Sequence, residues 1–248
     1  MRPRLPLGLV ILLLAFCFGL GLLSALLARS AGDDEAPPSS LPAPREEQVN
    51  FLIVGVDEIA SPRPALTALW VASFEPPGRD LFLTGIPIDA SAPALDGGPL
   101  AGAFAWSSEA GPSAEFLAAV ASLAPLELDV VISLDRQGFA AVVDYIGGIE
   151  LNGALLDGAQ VVAVLELLEE DPSASVASQR RVLESMAARA EALGDSPDIT
   201  PLISLIPDHA HISMPLNQVV SLTAPLLPLD ASAVHFDLFI GREASAAD

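Results

Sequence analysis

Residues 129–151 read DVVISLDRQGFAAVVDYIGGIEL, and the order of residue types along them decides the fold class. Asp129 to Leu134 is a short, nearly continuous apolar run, the profile of a strand buried on both faces. Asp135 stands where a helix N-cap belongs, because its carboxylate can accept a backbone N–H of the first turn. Phe139, Val142, Val143 and Ile146 then fall on one helical stripe, and Gly147 and Gly148 supply the stop. Strand and helix in alternation predict an α/β domain.

Upstream, Val49 to Val56 (VNFLIVGV) is a second continuous apolar run, ending in Gly55 and Asp57. Ala65 to Phe74 and Leu81 to Ile86 are two more, joined by EPPGRD, whose Pro76, Pro77 and Gly78 are strong turn formers. These three are expected to be neighbouring strands. Ala90 to Pro112 reads as an Ala/Gly/Pro-rich loop and Ser113 to Leu123 as an apolar-faced helix. Downstream, one helix is expected over residues 157–170, broken by Asp171 and Pro172, and a second over residues 178–193. Short strands near His211 to Ser213 and Ala233 to Leu238 flank a helix over residues 216–222. The expected architecture is a mixed central sheet flanked by helices, an α-β-α sandwich, over residues 49–240.

Before this domain, Leu5 to Ala28 runs about 24 residues without a charge, enough for a helix to cross a hydrocarbon core of about 30 Å. Arg2 and Arg4 precede the run and all 32 acidic residues follow it, which predicts an N-terminus in the cytoplasm and a domain outside the membrane. A cleaved signal peptide is the alternative, since Ala25, Ala28 and Ala31 are small. Residues 29–48, rich in Pro, Ser and acids, read as a tether, and residues 241–248 as a tail. The single cysteine, Cys17, lies inside the apolar run, so an intramolecular disulfide is impossible.

The chain has 248 residues, 52% of them hydrophobic, and a net charge of -21. It contains no lysine, and from Arg29 onward 9 arginines face 32 acids, 9 - 32 = -23. A surface of that sign repels phosphate backbones, which excludes nucleic acid as a partner.

NFLIVGVD at Asn50 to Asp57, the strands ending in IPID at Ile86 to Asp89, and LDRQGFAAVVDYIGGIEL at Leu134 to Leu151 followed by LLDGAQVV together resemble the LytR-CpsA-Psr family. The order and spacing carry the match over about Val49 to Leu193, and GFAAVVDYIGGIEL is its most specific piece. The resemblance implies an extracytoplasmic phosphotransferase that moves a glycopolymer from a polyprenyl pyrophosphate carrier to peptidoglycan with Mg²⁺ assisting. The lipid tail would then lie in an apolar tunnel of the α/β core. It also implies that Asp57 and Asp89 are acidic site residues able to hold the metal, although a solvated aspartate is ordinary at a strand end.

The departures from the family pattern fall on its cations. Ile88 occupies an arginine slot, Leu66 stands before Thr67 where an acidic metal ligand is usual, Glu166 and Leu168 replace paired arginines, and Ser178 replaces another. Arg180 and Arg181 lie a few residues beyond the expected arginine and are the candidate anion contacts, with surface arginines on an amphipathic helix as the plain alternative. Replacing a phosphate-binding Arg by Glu exchanges attraction for repulsion, each worth about 4 kcal/mol at about 4 Å and an effective dielectric of about 20. The expectation is therefore a non-catalytic, membrane-anchored relative acting in cell-envelope assembly. It needs no cofactor and binds a polyprenyl lipid, a wall polymer or a partner protein. A working Mg²⁺-dependent transferase and a purely structural envelope protein are the alternatives. Convergence of two among Arg63, Arg79, Arg136, Arg180 and Arg181 on Asp57 and Asp89 would favour the transferase.

Other chemistry has less support. His209 and His211 beside Asp208 would share a face if they lie in one strand, without an obvious third metal ligand. Trp70 and Trp106 read as core, and Glu166, Glu169, Glu170 and Asp171 as a solvated acidic helix face. No Gly-x-Ser-x-Gly elbow or Walker A loop occurs. The charge predicts negligible retention of the protein on immobilised DNA or anionic vesicles at low salt; salt-sensitive capture on either would contradict this.

Overall fold

The computed structural model describes residues 48–239, apart from 124–125, 170, 192–200, 202–203, 205 and 227–228. The expected anchor, Cys17, nearly all of the tether and the tail lie outside the described residues, and none of the described helices is long and apolar enough to cross a membrane.

The strands are β1 (Val49–Val56), β2 (Leu66–Phe74), β3 (Leu81–Gly85), β4 (Trp106–Ser107), β5 (Gly111–Pro112), β6 (Val130–Asp135), β7 (Ile149–Leu151), β8 (Ala154–Leu156), β9 (Ala210–Ile212) and β10 (Val234–Leu238). The principal helices are α1 (Ala114–Leu123), α2 (Arg136–Tyr145), α3 (Gly158–Glu166), α4 (Pro172–Glu191) and α5 (Leu216–Thr223). The central sheet has the order β10-β3-β2-β1-β6-β9. β1 pairs antiparallel with β2 and parallel with β6, while β3 pairs antiparallel with β2 and parallel with β10. β1, β3, β6 and β10 therefore run the same way, and their carboxyl ends lie along one edge of the domain.

Alternation along β1 explains its continuous apolar run. Phe51 and Ile53 enter one core with Trp70, Ile132, Phe139, Val182 and Leu183, whereas Leu52, Val54 and Val56 enter a second with Val71, Phe116 and Val120. Helices α2 to α5 cover the first face, and α1 with the 90–112 segment covers the second. Each fully buried Leu, Ile or Phe contributes about 1.5–3 kcal/mol, so the two-sided burial of β1 is the centre of the fold's stability.

The 129–151 segment folds as its pattern predicts. Asp135 Oδ1 accepts from Gly138 N at 2.8 Å and caps α2. Gly147 and Gly148 both have positive φ, +83° and +79°, and Arg189 of α4 donates to their carbonyl oxygens at 3.0 and 3.1 Å. Asp144 Oδ1 accepts from Gly158 N at 2.7 Å, which ties the start of α3 to the side of α2. A Cβ on Gly158 would collide with the carbonyl oxygen of Ala140, so glycine sets how closely these helices approach.

Several boundaries differ from expectation, for physical reasons. α3 ends at Glu166, and the long helix begins at Pro172, well before Ser178. Proline is a helix starter at the first position, and Asp171 before it caps the helix by accepting from Ala174 N at 3.0 Å. Between residues 90 and 112 the chain is not plain loop. It forms a 3-10 turn (Pro93–Leu95), a helical turn (Leu100–Ala103) and the β4–β5 hairpin. The β7–β8 hairpin turns on Asn152 and Gly153, both at positive φ, the Asn-Gly pair that a tight hairpin turn favours.

Gly158→Ala is expected to cost about 1–3 kcal/mol by forcing α2 and α3 apart. Gly102→Ala, where a Cβ meets only Pro99 at 3.7 Å, should stay within about 1 kcal/mol of the parent. Urea midpoints of the two variants provide the comparison.

Candidate functional site

A cleft opens between the sheet and helices α2, α3 and α4, beside the carboxyl ends of β1 and β6. Ligand crevices in open α/β sheets form at such ends, where the chain leaves the strands. Trp70, Phe139, Val162, Leu165, Val182 and Leu183 make its wall largely apolar. A second hollow, lined by Leu66, Ile88, Pro172 and Val176, shares Thr67, Glu169, Ser175 and Gln179 with the first and so continues the cleft outward.

The polar groups deep in the cleft satisfy one another. Trp70 Nε1 donates to Gln179 Oε1 at 2.9 Å. The Gln179 amide nitrogen donates to Thr67 O and Ser175 Oγ, both at 3.1 Å. One buried amide thus ties α4 to β2, with no amide hydrogen left over.

At the solvent edge, Arg136 lines the cleft directly after Asp135. Its guanidinium lies 2.6 and 2.7 Å from the two carboxylate oxygens of Glu169 and 3.3 Å from Glu166. Among the described residues Arg136 is the only arginine lining the cleft, and two carboxylates hold it. Asp135 is buried at 3% exposure; besides capping α2 it lies 3.1 Å from His209 Nδ1 and 3.4 Å from Ile59 N.

The predicted site residues are placed as follows. Asp57 follows β1, and its Oδ1 accepts from Glu58 N at 2.8 Å and Ala65 N at 2.7 Å, closing the turn into β2. Asp89 is exposed and follows Ile88 beyond β3, at the same edge of the domain. Arg180 is held by Glu184 at 2.8 Å along the same helix, and Arg181 is exposed on α4. Neither of these arginines lines the cleft. Arg79 lies at the opposite end of the sheet, where it donates to Pro225 O at 3.3 Å.

These donors suit Mg²⁺ poorly. The ion requires near-octahedral oxygen ligands, but one oxygen of Asp57 is committed to two backbone N–H groups, and Leu66 and Ile88 offer no oxygen from their side chains. The histidine pair also differs from expectation. His209 ends a helical turn (Ile206–His209), and only His211 is in β9, so alternation within one strand does not relate the two imidazoles. Trp70 is core at 1% exposure, and Trp106 stacks edge-on against His211 away from the cleft.

Sequence reading missed the two features that define the cleft. Gln179 carries no local signal of its role, because its bond to Trp70 spans 109 residues. Arg136 and Glu166 were each singled out, but nothing local joins positions 30 residues apart.

Family profiles and curated proteins yield no match to this chain. Solved structures do. The fold superposes on B. subtilis TagV with a TM-score of 0.61 at 14% identity, over 79% of this chain and 86% of that one. For gbs0355 from Streptococcus agalactiae the TM-score is 0.62 at 15% identity, over 82% and 80%. For TagT bound to LIIa-WTA it is 0.59 at 14% identity, over 78% of each chain. The chain shares the fold of these proteins.

Gln179→Leu removes the acceptor of Trp70 Nε1 inside an apolar wall. The expected loss is about 1–3 kcal/mol of stability, read from urea unfolding followed by tryptophan fluorescence.

Proposed function

We propose, from an α/β domain with the LytR-CpsA-Psr fold seen in TagV and TagT, that this protein is a membrane-anchored, extracytoplasmic member of the cell-envelope assembly machinery. In this reading it holds an apolar lipid or wall component without performing the family's phosphotransfer. One observation carries it: the arginine at the cleft edge is clasped by Glu166 and Glu169. Transfer of a phosphoryl group depends on cations that neutralise the diphosphate and the charge growing on the leaving group. Here the guanidinium is already neutralised, and the outer hollow presents Leu66 and Ile88 where the family pattern has a metal ligand and an arginine.

The anchor and outward orientation rest on the apolar run of Leu5 to Ala28 and on the charge asymmetry around it. TagT, with which the chain shares its fold, is seen bound to LIIa-WTA and to LI-WTA, which supports a lipid-linked wall component as the kind of molecule the cleft serves. The apolar wall around Trp70, Phe139 and Leu183 suits a hydrocarbon chain.

The full chain incubated with a polyprenyl pyrophosphate-linked glycan, Mg²⁺ and peptidoglycan is expected to release no lipid phosphate above the protein-free control. Turnover that scales with protein concentration would overturn the non-catalytic reading.

A further inference from the structure

The cleft's charge and hydrogen bonding narrow the ligand that its shape admits. The acidic and basic groups gathered at the cleft, Arg136 against Asp135, Glu166 and Glu169, sum to 1 - 3 = -2. Both carboxylate oxygens of Glu169 lie against Nη2 of the guanidinium and Glu166 lies 3.3 Å from Nη1, so an incoming anion meets two carboxylates already in place. Deeper in, the Gln179 amide spends both hydrogens on Thr67 and Ser175, and its oxygen accepts from Trp70. The indole N–H is thereby consumed too. With the indole and amide N–H groups spent, an anionic head pushed into the depth of the cleft would lose its hydration without gaining a donor from either. An alkyl or isoprenoid chain would lose nothing against Phe139, Val162, Leu165 and Leu183.

We infer that the cleft takes a long-chain lipid whose head carries no negative charge, a hydroxyl or an amine, and that the Arg136–Glu166–Glu169 cluster excludes the phosphorylated form of the same lipid. This rests on the lipid-holding reading above and deepens it. The wider surface acts in the same sense, since the chain beyond the anchor carries far more acids than arginines.

The test uses the full chain in phosphatidylcholine nanodiscs. Of the two tryptophans in the sequence, Trp106 lies outside the cleft wall, so Trp106→Phe leaves Trp70 as the only reporter. Chain-brominated stearyl alcohol, stearylamine and stearyl phosphate are then titrated, and quenching of Trp70 is recorded. The alcohol and the amine are expected to quench at concentrations about 10-fold below the phosphate, as one unfavourable charge contact would require. In a Glu166→Gln, Glu169→Gln background Arg136 is released, and the phosphate should gain about 10-fold while the alcohol is unchanged. Leu165→Phe, checked by its melting curve, should abolish quenching by all three. Phosphate binding equal to or tighter than the alcohol in the parent overturns the head-group inference and leaves the lipid-holding function intact. No quenching by any of the three overturns the lipid-holding function, and the inference falls with it. Should the double Gln variant fail to fold, the three-lipid comparison on the parent still decides.

Discussion

A single buried carboxylate holds the working edge of this domain together. Asp135 ends β6, caps α2 through Gly138 N, and reaches both Ile59 N in the turn after β1 and His209 Nδ1 just before β9. Three neighbouring strands thus deliver their ends to one group. Burying a carboxylate is costly unless its oxygens are bonded, and here they accept from two backbone N–H groups and lie 3.1 Å from His209 Nδ1. Because Arg136 is the next residue, the geometry that satisfies Asp135 also determines where the cleft's only lining arginine among the described residues emerges.

The rest of the architecture extends that constraint. The sheet can be apolar on both faces because α2 to α5 cover one side and α1 with the 90–112 segment covers the other. On the first side the helices do not close completely over the strand ends. β1 carries Gly55 there, where a Cβ would stand 2.7 Å from the Cβ of Ala68, and the space above it becomes cleft. The motif that most resembles the LytR-CpsA-Psr family is used as scaffold. Phe139 fills core, Asp144 secures Gly158, and the Gly147–Gly148 turn is clasped by Arg189.

Function follows from what these scaffolds present. A fold shared with TagV and TagT supplies an apolar cleft at the carboxyl ends of parallel strands. At its edge Glu166 and Glu169 meet the guanidinium of Arg136.

The sequence alone was enough to establish the α/β class, the neighbouring first three strands, the cap and stop of α2, and the two-faced burial of β1. Each depends on residues close together in the chain, where periodicity and turn chemistry act directly. It also set Ile88 and Leu66 apart from the pattern of the family it resembles, and both line the outer hollow. Local signals misled at Pro172, which reads as a breaker but starts α4, because the same missing N–H serves either purpose. What only the tertiary structure decided is pairing across long separations: Trp70 with Gln179, Asp135 with His209, Arg136 with Glu169. No property of either partner's neighbourhood encodes such a meeting. It arises when helices dock on a sheet, and the charge of the cleft is settled there.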